Sequence, residues 1–467
     1  MPALDSVLAA ADRDLDESLS RLFEFLRIPS ISADTAFDAD CRRAAEWAAS
    51  TLRHIGFEAS TRPTGGHPMV VGHRRSSRPG APTVLFYGHY DVQPPDPIEL
   101  WKTPPFEPTR QRGPAGEVIV ARGAADDKAQ VMTFLEACRA LLRETRDLPV
   151  SVTVFLEGEE ESSSRHLVPF LKENKAELAA DVCLICDTSM WDRDTPAVTT
   201  MLRGIVYEEV TIRAATRDLH SGTYGGAAQN PIRVLSRIIA ALHDDEGRVA
   251  LPGFYDGVAE LPQAVKRDWQ ALDFDGQAFL GEVGLSEPAG ERQRSVLEQI
   301  TARPTCDVNG IVGGYTGEGP KTVIPSLASA KISFRLVSEQ DPGAVQAAFR
   351  AFVEARLPAD CAATFISHGK SPAVSVPADS EPLRLSRAAL AEEWGRTAPT
   401  IGAGGSIPVV GDLQRLLGID SLLIGFGLED DRIHSPNEKY DLRSFHKGIR
   451  SWIRILAALG SQDRDRP

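Results

Sequence analysis

The chain reads as an α/β protein in which a doubly wound, mostly parallel sheet forms a discontinuous first domain and a ferredoxin-like α+β domain is inserted into it. Three observations predict this. Apolar, strand-like runs alternate with amphipathic helical stretches through the first two hundred or so residues, the order that builds parallel sheets. Past Arg203-Gly204 the rhythm changes to β-α-β-β-α-β, the split βαβ pattern. Beyond Pro372 the first alternation resumes, and 467 residues exceed the length one hydrophobic core usually serves. The expected domains are 1–203 with 373–467, and 204–372 between them.

Leu15, Leu19, Leu22 and Leu26 recur at helical spacing and Pro29 closes the segment, so the chain opens on an amphipathic helix. TVLFYGHYDV from Thr83 reads as a buried strand, Asp127 to Leu142 as a helix, VSVTVFLEG from Val150 as a strand and VCLICD as another. Cys183 and Cys186 have CxxC spacing. They lie inside an apolar run with no second ligand pair nearby, so they read as small core residues and not as a zinc or redox pair. The inserted domain follows: strand IVYEEVTIR, a helix from Asn230 to His243, strands CDVNGIV and SAKISFRLV, a helix from Pro342 to Arg356, and strand CAATFIS. A polar stretch from Gly247 to Pro304 takes no assignment. A helix from Leu383 to Trp394, strand SLLIGFG and a last amphipathic helix from Leu442 to Leu459 complete the chain, with no repeat and no low-complexity tract.

Composition narrows the function classes. Hydrophobic residues at 42% leave material for a large core, and a net charge of -14 with no basic stripe argues against a nucleic-acid partner. Asp12, Asp14, Asp16 and Glu17 are the reverse of a secretory n-region. No apolar run approaches the roughly 18 to 20 residues that span a bilayer, so no membrane role is expected. Six scattered cysteines fit a reducing compartment, and the expected location is the cytoplasm.

Five potential metal ligands stand at or just after predicted strand ends: His89 in GHYDVQP, Asp126 in RGAADDK, Glu161 in EGEEESSS, Asp187 in VCLICD and His434 in IHSPNEK. Each alone reads as readily as a helix cap, a solvated turn or a hydrogen-bonded histidine. Together, two histidines and three carboxylates make an N/O donor set suited to zinc, manganese or cobalt, and too hard for copper(I) or an iron-sulfur cluster. One carboxylate can bridge two ions about 3.5 to 4 Å apart that share an acidified water, and such a pair needs a base. Glu160, beside Glu161, would supply it by taking that water's proton and passing it to a leaving amine. Glu157 and Glu159 read as a solvated acidic turn.

The motifs HYDVQP, GxxDDK, EGxEES, the Asp187 strand end, DLHSGTYGG, KTVIP, FRLV, GGSIP and HSPNEK run in order from about residue 87 to 440. They resemble those of the metallopeptidase family that includes carnosine dipeptidases, aminoacylases, acetylornithine deacetylase and glutamate carboxypeptidases, with the dipeptidase branch nearest. The resemblance implies two divalent ions per chain, zinc first and manganese or cobalt as alternatives. Asp126 would bridge them, with His89 and Asp187 completing one site and Glu161 and His434 the other. Glu160 matches the general base. Asp91 would fix the His89 tautomer, and Asp127 would follow Asp126 through a cis peptide bond.

By the same resemblance the inserted domain is a lid and dimerisation surface. His220 in DLHSG would reach the partner's active site in a homodimer and stabilise the oxyanion. Arg335 in FRLV matches a clamp on the substrate carboxylate, a task a guanidinium fork suits. Thr322, Asn309, His368 and Ser406 match further lid and pocket contacts.

One departure stands out: Ala403 occupies the place before GGSIP where the carnosine dipeptidase pattern has an acidic residue for the substrate's free amine. The leading expectation is thus a dipeptidase or carboxypeptidase-like hydrolase cutting beside a free carboxylate. An N-acyl amino acid deacylase or another amidase on the same metals is the alternative. A non-catalytic relative would have lost Glu160 or a ligand, and none is lost. A serine hydrolase, prompted by Ser406, lacks the G-x-S-x-G elbow.

Overall fold

A computed structural model describes residues 4–461 apart from 378 and 406, and no side chain is described for Pro408. The chain divides into two compact units: Met1–Thr200 with Val376–Ile401 and Asp412–Pro467, and Met201–Ser375 with Gly402–Gly411.

The first unit is built on a mixed sheet. Ser151–Glu157, Thr83–His89, Val182–Ile185 and Ser421–Leu423 lie side by side and parallel at its centre. The flanks run the other way: Met69–Arg74 pairs antiparallel with Ser151–Glu157, Glu58–Arg62 with Met69–Arg74, and Val198–Leu202 meets Ser421–Leu423 antiparallel. The central strands are apolar along nearly their whole length because both of their faces are covered. Phe86 stacks on Phe134 of helix Lys128–Thr145 at 3.9 Å, and both meet the edge of Trp452 from helix Leu442–Gly460. Each such ring, fully buried, contributes on the order of 1.5–3 kcal/mol.

The helix read from Leu15 to Leu26 is present, and a further one, Leu4–Arg13, precedes it and buries Val7, Leu8, Ala10 and Ala11. A small antiparallel sheet, Thr109–Gly113, Gly116–Val120 and Lys439–Asp441, was also unforeseen, and it flanks the segment that carries Asp126. Among the described residues no helix is long and apolar enough to cross a membrane.

The second unit holds a four-stranded antiparallel sheet in the order Thr305–Gly313, Leu327–Leu336, Gly204–Arg213, Ala362–Ser371. That order is the one a split βαβ sequence produces. Burial alternates along Gly204–Arg213, so Val206, Val210 and Ile212 join one core with Leu235 and Ile238 of Pro231–Ala240 and Phe349 and Phe352 of Pro342–Glu354. Glu208 shares that buried face, where Arg350 grips it at 2.8 Å and Gln346 at 2.6 Å. The unassigned stretch 247–304 contains three short helices, Gln263–Gln270, Gly276–Glu282 and Val296–Thr301. Ser295 and Glu298 close a capping box on the last, and Arg303 forks onto Glu291 with two bonds of 3.0 Å.

Candidate metal centre

His89, Glu161 and Asp187 arrive from the carboxyl ends of central strands, where a doubly wound sheet places its sites, and Asp126 and His434 come from loops beside the small sheet. His89 is the final residue of Thr83–His89, and Asp187 follows Val182–Ile185 by two. Glu160 and Glu161 begin a 3-10 turn, Glu160–Ser162, just past Ser151–Glu157. Asp126 precedes helix Lys128–Thr145, and its bond to Asp127 is cis. His434 sits at φ +60 in the loop leading to Lys439–Asp441. The backbone must pass close at Gly88: a Cβ there would lie 2.5 Å from Val131 Cγ2 and 2.8 Å from Asp127 Oδ2. Only glycine lets Thr83–His89 run so near the helix start.

These side chains form two clusters, His89 with Asp126 and Asp187, and Asp126 with Glu161 and His434, each with its ligand atoms within 4.8 Å of one another. Asp126 is common to both. Its Oδ1 lies 3.0 Å from His89 Nε2 and its Oδ2 2.9 Å from His434 Nε2, while Glu161 Oε2 is 3.3 Å from the same His434 nitrogen. His89 Nδ1 faces the Asp91 carbonyl at 3.1 Å and its carboxylate at 3.3 Å. Asp91 also accepts the Glu161 N–H at 3.1 Å, and Asp127 accepts the His89 N–H at 3.2 Å. Gln93 donates to Glu161 at 2.8 Å.

The electrostatics favour cations. Burial pushes Asp187 well above the usual carboxylate range, with the charge of Asp126 adding to it. Glu160 is pushed up to about 7, by burial first and then by Glu161, Asp91 and Asp126, against the opposing pull of His89. Burial acts upward on Asp126 too, but its bonds to His434 and His89 win and hold it well below the ordinary value. The histidines pay the converse: His434 is raised to about 10 by Asp126 and Glu161, and at His89 the same kind of partners overcome burial. Acidic groups crowded around a buried imidazole, His89, and an exposed one, His434, with one carboxylate turned to both rings, make the donor set a borderline divalent cation fits.

The acidic turn was misread. Glu157 is fully buried, accepts hydrogen bonds from Tyr87 and from Ser164 (3.1 Å for Ser164), and burial raises it to about 8. Glu159 is buried as well, accepting the N–H groups of His67 and His166 at 3.1 Å and the His166 ring at 2.8 Å. Both brace the strand end that presents Glu160 and Glu161. Sequence reasoning also passed over Glu438 and Lys128. Glu438 collects backbone donors around Asp126 at 2.7–3.1 Å. Lys128 Nζ caps the carbonyls of Phe25 and Ile28 at 3.2 and 2.7 Å. The signal for both was their place inside HSPNEK and GxxDDK. The cysteines of VCLICD are buried and free, as core residues should be.

The remaining predicted residues lie in the second unit. Arg335, half-buried on Leu327–Leu336, sits between Thr305 and Ile205 on the sheet face away from the helices. Asn309 and His368 are each the extra residue at a register break, between Val308 and Gly310 and between Ser367 and Gly369, where bulges re-aim side chains. His368 Nε2 lies 3.0 Å from Glu209 and its ring 5.2 Å from that of Tyr207. His220 pairs across a short ribbon with Val323, next to Thr322, whose carbonyl accepts the Ser221 N–H. His220 is exposed, and its Nδ1 accepts from Gly222 N at 3.0 Å. Ala403 ends strand Thr400–Ala403. Ser406 lies outside the described residues.

Residues 85–458 match the peptidase family M20/M25/M40. The Cys-Gly metallodipeptidase dug1 of Schizosaccharomyces pombe is 30% identical, over 98% of this chain and 99% of that protein. The human Beta-Ala-His dipeptidase is 28% identical, over 96% and 91%. Among solved structures, the M20 family metallo-carboxypeptidase Sso-CP2 of Sulfolobus solfataricus superimposes with a TM-score of 0.81 at 31% identity, covering 96% of this chain and all of that one.

Proposed function

Because this chain belongs to peptidase family M20/M25/M40, we propose that it hydrolyses the peptide bond of a dipeptide-like substrate next to a free carboxylate. It is a metal-dependent, dipeptidase-like hydrolase. The observation that carries the reading is the shared carboxylate, Asp126, with one oxygen toward His89 and the other toward His434. His89, Asp126 and Asp187 would hold one divalent ion, and Asp126, Glu161 and His434 a second, with zinc the first choice and manganese or cobalt the alternatives. Bound there, the ions supply Lewis acidity to the scissile carbonyl and to the attacking water.

The chain's own groups do the rest. Glu160, raised to about 7, takes a proton from the water on its carboxylate and delivers it to the leaving nitrogen. Asp91 keeps the His89 proton on Nδ1, so that Nε2 offers its lone pair to the ion. Arg335 binds the substrate carboxylate with its guanidinium fork, and Thr322, Asn309 and His368 make further substrate contacts. Two copies pair through the second unit, whose edge strand Thr305–Gly313 exposes Ile311 and Val312 at 59% and 64%. His220 then serves the partner's site: with Nδ1 accepting from Gly222, its Nε2 carries the proton that an oxyanion needs. The free cysteines fit a cytoplasmic location.

The test is metal content and turnover on one preparation, wild type against Glu160→Ala, with a dipeptide panel beside N-acyl amino acids. Two ions per chain, preference for dipeptides, and a loss of about 10²–10⁴ in kcat with metal retained are expected. Equal turnover in chelator would refute the metal mechanism. Preference for N-acyl substrates would move the specificity to deacylation, as Ala403 in place of an acid allows.

A further inference from the structure

Glu438 is fully buried, and all four of its described side-chain hydrogen bonds go to one short segment. Its Oε1 accepts the N–H groups of Ala125 (2.7 Å) and Asp126 (3.1 Å). Its Oε2 accepts the Gly123 N–H at 2.9 Å and Arg122 Nη1 at 2.7 Å. Its backbone carbonyl takes the Ala121 N–H at 3.2 Å. The other arm of Arg122 reaches the Pro94 carbonyl at 3.1 Å, and its guanidinium lies 5.5 Å from the Trp101 ring centre. Arg122 is itself 1% exposed.

The carboxylate therefore fastens together three loops from distant parts of the chain: the one after His89, the one that ends in Asp126, and its own, four residues beyond His434. We infer that Glu438 is a positioning residue for the candidate metal centre, holding the Asp126 backbone at a fixed offset from His434 so that one carboxylate can face both histidines. This rests on the two-ion reading above. A pair whose only task was stability would have no need to put its acceptors on the amide of a ligand. Ion affinity, in contrast, depends on ligand atoms held to within tenths of an ångström, and groups one layer out commonly set it 10- to 100-fold.

Glu438→Gln separates the roles. The amide keeps the shape but offers one acceptor oxygen and turns an N–H₂ toward donors, so half the grip on residues 122–126 is lost. The probe is Zn²⁺ alone, titrated into metal-stripped protein against a chromophoric chelator, with Tm of the metal-free protein measured in parallel. Affinity should fall 10- to 100-fold while the metal-free variant still melts cooperatively. Glu291→Gln, which breaks the buried Arg303 pair in the other unit, should lower Tm and leave Zn²⁺ affinity unchanged. Arg122→Lys, which keeps the charge and loses the fork, should lose affinity by less than Glu438→Gln, and it decides the matter if the latter fails to fold. Wild-type Zn²⁺ affinity in Glu438→Gln, or in Arg122→Lys where that variant decides, overturns the inference. So does an equal affinity loss in Glu291→Gln. If the wild type itself binds no Zn²⁺, it is the two-ion reading that falls, and this inference falls with it.

Discussion

Loading the metal centre should expel protons, and the histidines say how many. Without metal, Asp126 and Glu161 keep His434 protonated up to about 10, and His89 is raised in the same sense. A metal ion accepts only neutral imidazole. At pH 7 a group titrating near 10 is protonated in roughly a thousand molecules to one, so His434 alone surrenders a whole proton. His89 and Asp187 are shifted upward as well, Asp187 by burial first and then by Asp126. Each proton released makes the apparent affinity about tenfold stronger per pH unit, or roughly 1.36 kcal/mol. The sign is fixed: affinity climbs with pH while protons remain to be lost and flattens as pH nears the His434 value. Between pH 6 and 8 the gain should be at least about 100-fold, the one-proton limit, and larger as the other groups contribute. Calorimetric titration of metal-stripped protein with Zn²⁺, repeated at one pH in buffers of different ionisation enthalpy, reads the count as the slope of heat against buffer enthalpy. His434→Ala should lower that slope by about one. A slope of zero with affinity flat from pH 6 to 8 would mean that the histidines are neutral before the ion arrives or never bind it.

Two further outcomes follow from the geometry. Arg335→Lys keeps the charge but not the fork, so kcat/KM for a dipeptide should fall about 10- to 100-fold, mostly through KM; an unchanged KM in steady-state assays would remove Arg335 from substrate binding. Gly88→Ala drives a Cβ against Val131 and Asp127, so the free energy of unfolding should drop by about 1–3 kcal/mol, read as a lower denaturation midpoint, and Zn²⁺ affinity with it, whereas a midpoint equal to wild type would show that the contact relaxes freely.

What the sequence discloses depends on whether a feature is local. The parallel strands and the insertion were legible because apolar runs and helical spacing are local signals, and they survive in Thr83–His89, Ser151–Glu157 and Gly204–Arg213. Glu157 and Glu159 were misread because Tyr87 and His67, among their donors, stand 70 and 92 residues away in the chain. An acid surrounded by acids looks solvated until the fold brings donors to it. The strands Glu58–Arg62 and Met69–Arg74 are short, and only pairing defines them, the first with the second and the second with Ser151–Glu157. Within 247–304, Ser295 and Glu298 formed a capping signature that was open to view, but the helix it starts is only six residues long. That Asn309 and His368 mark bulges could not be read at all, since a bulge exists only against a partner strand.

The first unit's discontinuity constrains how the chain is made. Ser421–Leu423 completes the parallel run beside Val182–Ile185, and helix Leu442–Gly460 packs on Lys128–Thr145, so both contacts wait for segments synthesised hundreds of residues later. The inserted unit is nearly whole by residue 375 and has a core of its own. On a ribosome it is free to collapse while the earlier unit still carries an open sheet edge and an unmatched apolar helix face. That interval, set by translation at about 5–20 residues per second, is when the nascent chain is most exposed to aggregation and to chaperone capture.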